Sequence, residues 1–313
     1  MRHLPPSDPP AGGVRTPLLM LVALAFIWGV NWPIMKIAVL GVEPWMFRAM
    51  CTLGGGIGML ALSCAGGHSI RVPRDQLIWL AAVAPFSIAG WMVFSALGVG
   101  IMGSGRAAIL AYTMPLWAVL FARFVLKEPL TPGRLIGLAL GMAAIAVLLS
   151  HDFSMIEDSP LGAFFMLCAA VTWAFGAVLF KRAPWGLPVM VIVGWQLVLV
   201  GIPVTLVALA SEPLPTRGDL WAWLAVAYNI GPSGILGFYL WNRVLILLPA
   251  GAAAVGSLAV PVIGVMAGAL VLGEVIGWRE WTALLLVATA IATVMGALPG
   301  MARTVRPGTE AGR

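Results

Sequence analysis

The sequence predicts an all-α polytopic membrane protein: ten transmembrane helices arranged as two inverted five-helix repeats. Three observations point there. Hydrophobic residues make up 61% of the 313-residue chain and charged residues 10%, against roughly 45–50% and 25% in soluble domains. The apolar residues gather into segments of about 20, the length that spans hydrocarbon as a helix. The chain also carries one pattern twice. Pro115 and Glu128 bracket a run ending Val125-Leu126-Lys127-Glu128, and 146 positions later Pro261 and Glu274 bracket a run ending Val271-Leu272-Gly273-Glu274. Trp28 and Lys36 recur, with the same spacing of eight, as Trp173 and Lys181.

The chain opens on a Pro- and Gly-rich stretch, residues 1–16, expected as a disordered cytoplasmic tail. No short apolar stretch ending in a small-residue cleavage site precedes the first span, which is therefore expected as an uncleaved anchor. The first repeat, residues 17–150, holds spans near 17–37, 44–64, 76–98, 105–126 and 132–150. The second repeat, residues 160–299, holds spans near 160–181, 188–210, 220–247, 251–272 and 279–299, and residues 300–313 form a second cytoplasmic tail. Backbone groups in lipid must be paired within their own segment, which makes these runs helices. Five is odd, so the second repeat enters the membrane in the opposite direction, related to the first by a pseudo-two-fold axis in the membrane plane. Two such halves can exchange conformations and open a central cavity to either side in turn. Both orientations are present in one chain, so a monomer suffices.

The net charge of +6 does not gather into a nucleic-acid-binding stripe, and no nucleic-acid partner is expected. Lys and Arg sit at span ends, where they set orientation. With the N-terminus inside, thirteen fall on the inner side (Arg2, Arg15, Arg71, Arg74, Arg123, Lys127, Arg134, Lys181, Arg182, Arg243, Arg303, Arg306, Arg313) and five on the outer (Lys36, Arg48, Arg106, Arg217, Arg279), so both termini are expected in the cytoplasm. Cys51, Cys64 and Cys168 lie within spans as packing residues and make neither a disulfide framework nor a metal site. His3, His68 and His151 lie in tails or loops, the sequence has no HExxH or P-loop, and no metal or cofactor is expected. Gly98, Gly100 and Gly103 match a dinucleotide fingerprint in spacing alone; without a strand before them they read as a tight inter-helix turn. All twelve acidic residues fall at span ends, in loops or in tails. Proton-coupled carriers keep an ionisable group at membrane depth, so carboxylate-based proton coupling is not expected.

Candidate functional residues come from depth and duplication. Trp28, Trp32, Trp91, Trp173, Trp195 and Trp241 fall deep within spans, whereas Trp45, Trp79, Trp185, Trp221, Trp223, Trp278 and Trp281 fall in the interfacial belt. Ser87, Gln196 and other neutral polar residues share the deep level. Singly, a deep tryptophan packs a core or faces lipid. As a group with neutral polar residues, the deep tryptophans describe a cavity with apolar walls and a few hydrogen-bonding groups, suited to small organic solutes. The substrate-binding set is Trp28, Asn31, Trp91, Tyr112, Trp173, Tyr239 and Asn242. Asn31 follows Trp28 by three, as Asn242 follows Tyr239, so each pair can share a helix face. Pro115 and Pro261 lie inside spans, where proline removes a hydrogen bond and bends the axis; a hinge and a static bend both remain open. Glu128 and Glu274 follow long spans. Each is either a helix-end charge that caps the next helix or pairs with a nearby Arg, or a gate that closes one side of the cavity through an ion pair. Gly54–Gly58, Gly137–Gly141 and Gly264–Gly268 have the small-residue spacing of close packing, although 37 glycines also produce such pairs by chance.

Phe26-Ile27-Trp28-Gly29-Val30-Asn31 with Lys36 resembles the opening of EamA domains in the drug/metabolite transporter superfamily. Arg48, Pro115 with Glu128, Trp241-Asn242-Arg243, and Pro261 with Glu274 match further parts of that pattern. The resemblance runs from about 17 to 299, through both halves. It implies ten helices, an inverted 5+5 repeat, a cavity lined by the first, third, fourth, sixth, eighth and ninth spans, and export of amino acids or other small metabolites across the bacterial inner membrane. The sequence is similar to the aromatic amino acid exporter branch. Two departures suggest specialised halves: Ala174 stands where Gly29 follows Trp28, and Val193 stands at the counterpart of Arg48.

The expected protein is a carrier rather than an enzyme, with an amino-acid-like solute and the lipid bilayer as its partners. Two transport alternatives stand beside it. Efflux of cationic drugs requires a buried carboxylate. An organic-phosphate or nucleotide-sugar carrier requires several basic groups facing the cavity, whereas Lys36, Arg48, Arg106, Lys181 and Arg243 sit mostly near span ends. An intramembrane enzyme has no catalytic constellation here to support it. Trp173→Ala and Asn31→Ala are each expected to lower transport while membrane expression stays intact; unchanged transport in both variants removes these two residues from the site.

Overall fold

All described elements are helical, the form that pairs a backbone internally where water is absent. The computed structural model describes residues 15–102, 110–148, 150, 159–214, 219–272 and 277–296. Among these, six helices are long and apolar enough to cross a membrane: Thr16–Gly41, Pro44–Ala65, Arg74–Gly98, Pro160–Arg182, Val189–Ser211 and Leu220–Leu247. Four shorter apolar helices accompany them, Met114–Val125, Pro132–Val147, Ala250–Gly264 and Trp281–Val294.

In chain order the α-helical pieces are α1 (Arg15–Gly41), α2 (Pro44–Ala65), α3 (Arg74–Ala84), α4 (Trp91–Met102), α5 (Met114–Val125), α6 (Pro132–Leu148), α7 (Pro160–Arg182), α8 (Val189–Ser211), α9 (Leu220–Tyr228), α10 (Phe238–Leu247), α11 (Ala250–Gly256), α12 (Ala259–Leu272) and α13 (Trp278–Gly296). Two long helices change pitch midway. A π-helical segment, Pro85–Gly90, joins α3 to α4, and another, Asn229–Gly237, joins α9 to α10. Helix starts follow local chemistry. Proline occupies the first turn of α2, α5 and α7, where its missing N–H has no intrahelical partner to lose. Asp219 caps α9 by accepting from the Ala222 amide at 2.7 Å. The α2 start is capped from across the molecule: Glu212 accepts from the amides of Trp45 and Met46 at 3.0 and 2.7 Å. At its other end α2 stops at Gly67, whose φ of +79° suits glycine.

The helices pack in reciprocal pairs. α2 lies on α8, and α6 on α13. α1 packs against α12 and against the α9–π–α10 helix, while α7 packs against α5 and against the π–α4 helix. Lipid offers apolar side chains no hydrophobic gain from association, so close van der Waals approach has to hold these pairs. Small residues permit it. A Cβ at Gly56 would lie 2.9 Å from the Gly194 carbonyl oxygen and from the Val198 amide nitrogen on α8. Two expected small-residue pairs do face neighbours: Gly54 and Gly58 meet Ile230 and Ile235, and Gly137 and Gly141 meet Val294 and Leu258. Gly264 lies against Gly29, whereas the Gly268 contacts lie outside the described residues. Large apolar side chains such as Ile78, Phe124, Leu206 and Leu285 are exposed on the outer faces, as lipid contact requires.

Several sequence expectations are corrected. Pro115 and Pro261 do not interrupt continuous helices. Each falls in the first turn of a new helix, after a two-residue break at Tyr112–Thr113 or Ser257–Leu258. Sequence cannot separate a kinked helix from a restarted one, because proline suits both. Gly98 is inside α4, pressed on Met166, so it forms no inter-helix turn; Gly103 lies outside the described residues. Trp195, expected deep, donates from its indole to the Ile70 carbonyl (2.8 Å) in the loop after α2, which puts it near a helix boundary. Cys64 is exposed rather than packed in a core. Arg15 and Thr16 belong to α1. Glu274, residues 1–14 and the tail 300–313 lie outside the described residues, as do the side chains of Trp32 and Lys36.

Gly56→Val is expected to force α2 from α8 and destabilise the protein by about 1–3 kcal/mol, the usual cost of overpacking. The check is the melting temperature of purified protein in detergent. Gly231→Ala, whose added Cβ meets nothing within 4 Å, serves as the unaffected control.

Candidate functional site

Five aromatic side chains from four separate parts of the chain converge at the centre. Trp28 comes from α1, Trp91 from the start of α4, Trp173 from the middle of α7, and Phe238 and Trp241 from α10. The Trp28 and Trp173 rings meet edge to face, with centroids 6.0 Å apart. Trp28 leans on Phe238 at 5.7 Å, and Trp173 leans on Trp91 at the same distance. Trp241 is 6.1 Å from both Trp28 and Trp173. These are the separations at which ring quadrupoles attract. The π segments help to seat the rings. The Trp28 indole donates to the Ser233 carbonyl (3.2 Å) in one of them. Gly237, at the end of that segment, leaves room for Trp28 where a Cβ would lie 2.3 Å from the indole nitrogen.

Two small cavities flank the rings. Ser87, Gln196 and Asn242 line the first with Trp173, Phe238 and Trp241, and Met114, Ala118, Ala250 and Ser257 line the second with Trp173 and Trp241. Each is about 10 Å³, close to the least that admits one water. None of the lining residues is Asp, Glu, Lys, Arg or His. The polar groups of the first cavity make two separate hydrogen bonds. The Ser87 hydroxyl donates to Gln196 Oε1 at 3.0 Å, and Asn242 Nδ2 donates to the Phe238 carbonyl at 2.8 Å, one turn back on α10. Gln196 is 2% exposed, and its Nε2 has no hydrogen-bond partner.

Of the residues expected to bind substrate, Trp28, Trp91 and Trp173 come together in the ring cluster, and Asn242 lines the first cavity beside Trp173. Asn31, one turn along α1 from Trp28, has a buried Oδ1 without a partner but is not among the cavity-lining residues. Tyr112 is buried at the break before α5, and Tyr239 packs half-buried against the core; neither lines the cavities. The sequence-derived set omitted Phe238, Trp241, Ser87 and Gln196. Phe238 stands 147 positions after Trp91, and Gly237 before it repeats Gly90, a signal that was available. The unpaired amide of Gln196 is a product of packing and has no sequence signature.

An ionic cluster sits at one end of the helices. Glu128 is 3.2 Å from Arg134 and 3.6 Å from Lys181, and its Oε1 accepts from the Ala250 amide at 2.8 Å. Lys181 also donates to the Leu248 carbonyl, and Arg134 donates to the Pro129 carbonyl at 2.8 Å. Lys127, with φ of +57°, turns the chain so that Glu128 points inward. The sequence left Glu128 as a helix-end charge, capping the next helix or pairing with a nearby Arg, or as a gate acting through an ion pair. It does pair with Arg134, but the helix it caps is α11, in the other half of the chain, rather than the following α6.

The EamA-like transporter family matches the chain twice, over residues 15–150 and 160–296. Among relatives, the uncharacterized inner membrane transporter YedA of Escherichia coli (strain K12) is 29% identical over 278 residues, covering 88% of this chain and 89% of its own. The aromatic amino acid exporter YddG of Ancylobacter novellus is 30% identical over 211 residues, covering 64% of this chain and 70% of its own. One solved crystal structure superposes with a TM-score of 0.76 at 24% identity, over 89% of this chain and 97% of that one, and so shares the fold. The two family matches together take in most of the chain: it belongs to the EamA-like transporter family and is a membrane transporter.

Proposed function

We propose that this transporter exports amino acids or similar small metabolites across the bacterial inner membrane by alternating access. Its ten spans form two inverted repeats, residues 17–150 and 160–299, with both termini cytoplasmic. The observation that carries this reading is the central ring cluster. Helices of both halves build it, and it borders a cavity whose polar groups are all neutral. Reciprocal contacts support the repeat: Trp28 on Phe238 and Trp173 on Trp91 are counterparts at equal distance, and the two π segments, Pro85–Gly90 and Asn229–Gly237, recur at a similar offset. The aromatic amino acid exporter among the relatives supports the substrate class.

Geometry suggests the cycle. With cavities of about one water each, the centre is occluded, and a substrate needs the rings to part. The apolar part of the solute then packs on Trp28, Trp91 and Trp173, and its polar end meets the side-chain amides. Pro115 and Pro261 mark equivalent helix breaks, at which short segments can swing. The Glu128 cluster ties the loop after α5 to α7 and α11 and so closes the cytoplasmic side. Because the cavity lining is uncharged, the substrate gradient alone drives flux.

Purified protein in liposomes is expected to move labelled amino acids, aromatic ones first, without an imposed pH gradient. Flux that requires the gradient refutes the facilitator reading, and no flux of any amino acid refutes the substrate class. Glu128→Gln retains the acceptor for Ala250 and removes the charge. It is expected to open the inner side, so that Ser257→Cys, in a background lacking the native cysteines, reacts about tenfold faster with a water-soluble maleimide. Unchanged labelling makes Glu128 a static brace.

A further inference from the structure

We propose that Gln196 is the specificity-determining residue of the central site, donating from its side-chain amide to the carboxylate of a zwitterionic amino acid. The proposal rests on the transport reading above and assigns the polar half of the site, which that reading leaves open. Its basis is a hydrogen-bond imbalance. A buried polar group is nearly always paired, because leaving it bare forfeits the hydrogen bonds it made to water. Gln196 is 2% exposed; its Oε1 is satisfied by Ser87, and its Nε2 is satisfied by nothing. The cavity beside it has room for about one water. A substrate oxygen that replaces such a water recovers its hydrogen bond.

The arrangement that holds this amide is itself constrained. Gln196 belongs to α8 in the second half of the chain, and Ser87 to the π segment of the first. Ser87 is held in place by α7: a Cβ at Gly176 would come within 2.4 Å of the Ser87 Cα. The hydroxyl hydrogen of Ser87 is used on Oε1, so the remaining capacity at Gln196 is a donor, and a donor selects an acceptor. Asn242, on the same cavity, uses its Nδ2 on Phe238, and no described group donates to its Oδ1. The cavity is thus bordered by the Gln196 nitrogen, both of whose N–H groups are unpaired, and by the Asn242 oxygen as an acceptor.

Charge decides which ligand class fits. A phosphate or a lone cation entering an uncharged lining stays uncompensated, at a large desolvation cost. A zwitterion brings both charges with it and is neutral overall. Its carboxylate takes the Gln196 amide, its ammonium takes the Asn242 oxygen and the faces of Trp173 and Trp241, and its apolar side chain replaces ring-to-ring contact.

Binding of three probes to purified protein, read by thermal shift, tests this separately from flux: phenylalanine, phenethylamine (no carboxylate) and 3-phenylpropionate (no ammonium). Wild type is expected to bind phenylalanine more tightly than either analogue. Gln196→Leu should weaken phenylalanine about tenfold or more and leave phenethylamine unchanged, the size expected for a hydrogen bond to a charged group. Gln196→Glu, which retains the shape, should weaken phenylalanine and tighten phenethylamine, and this reversal is one that misfolding cannot produce. Ser87→Ala should lower the preference for phenylalanine over phenethylamine. An unchanged preference in both Gln196 variants, or a wild type that binds none of the probes, overturns the proposal. Binding without flux in liposomes overturns the transport reading and leaves the Gln196 assignment standing; flux with an unchanged preference does the reverse.

Discussion

A backbone inside a bilayer has no water to pair with, and that constraint governs the departures from regular helix within the described spans. Irregular backbone is tolerated only where it faces other protein. Among the described residues, several such departures border the cavities or the ring cluster. The Pro85–Gly90 segment brings Ser87 and Ile88 to a cavity, and Asn229–Gly237 offers the Ser233 carbonyl to Trp28. The break at Ser257–Leu258 puts Ser257 on the second cavity. Wide helical turns are frequent at functional sites because they re-aim side chains without abandoning the hydrogen-bond ladder. Here they convert long apolar helices into walls that carry polar groups.

The same solvent removes the usual reason for apolar surfaces to associate, so the bundle rests on contact quality. Gly56 against α8 and Gly176 against Ser87 are backbone approaches that a single methyl would prevent. The ring cluster adds about 0.5–1.5 kcal/mol per favourable aromatic pair. That is enough to hold a closed centre and small enough for a bound solute to offset. The Glu128 cluster works at another place and by another force, joining three separated pieces of chain through one carboxylate.

How much could be read beforehand varied with the kind of information. Hydropathy located the six long apolar helices and the shorter ones beside them, and duplication marked Trp28 and Trp173 as counterparts, which meet in the ring cluster. Phe238 followed the same rule and was passed over because phenylalanine does not look like tryptophan. Pro115 and Pro261 were expected inside continuous helices, whereas each stands in the first turn of a new one. Glu128 had a legible partner six residues away, Arg134, whereas its bond to Ala250, 122 residues distant, exists only once the helices are assembled. Gln196 is the extreme case: its unpaired nitrogen is defined by what surrounds it, and no property of the residue itself announces it.

Trp173 and Trp241 border both small cavities. They act as a shared partition, so a swing of either indole that enlarges one chamber takes space from the other. In the proposed cycle, such a partition would keep a continuous aqueous path from opening end to end. Water and small ions would thereby be denied a leak, and the membrane potential would be kept while a larger solute crosses.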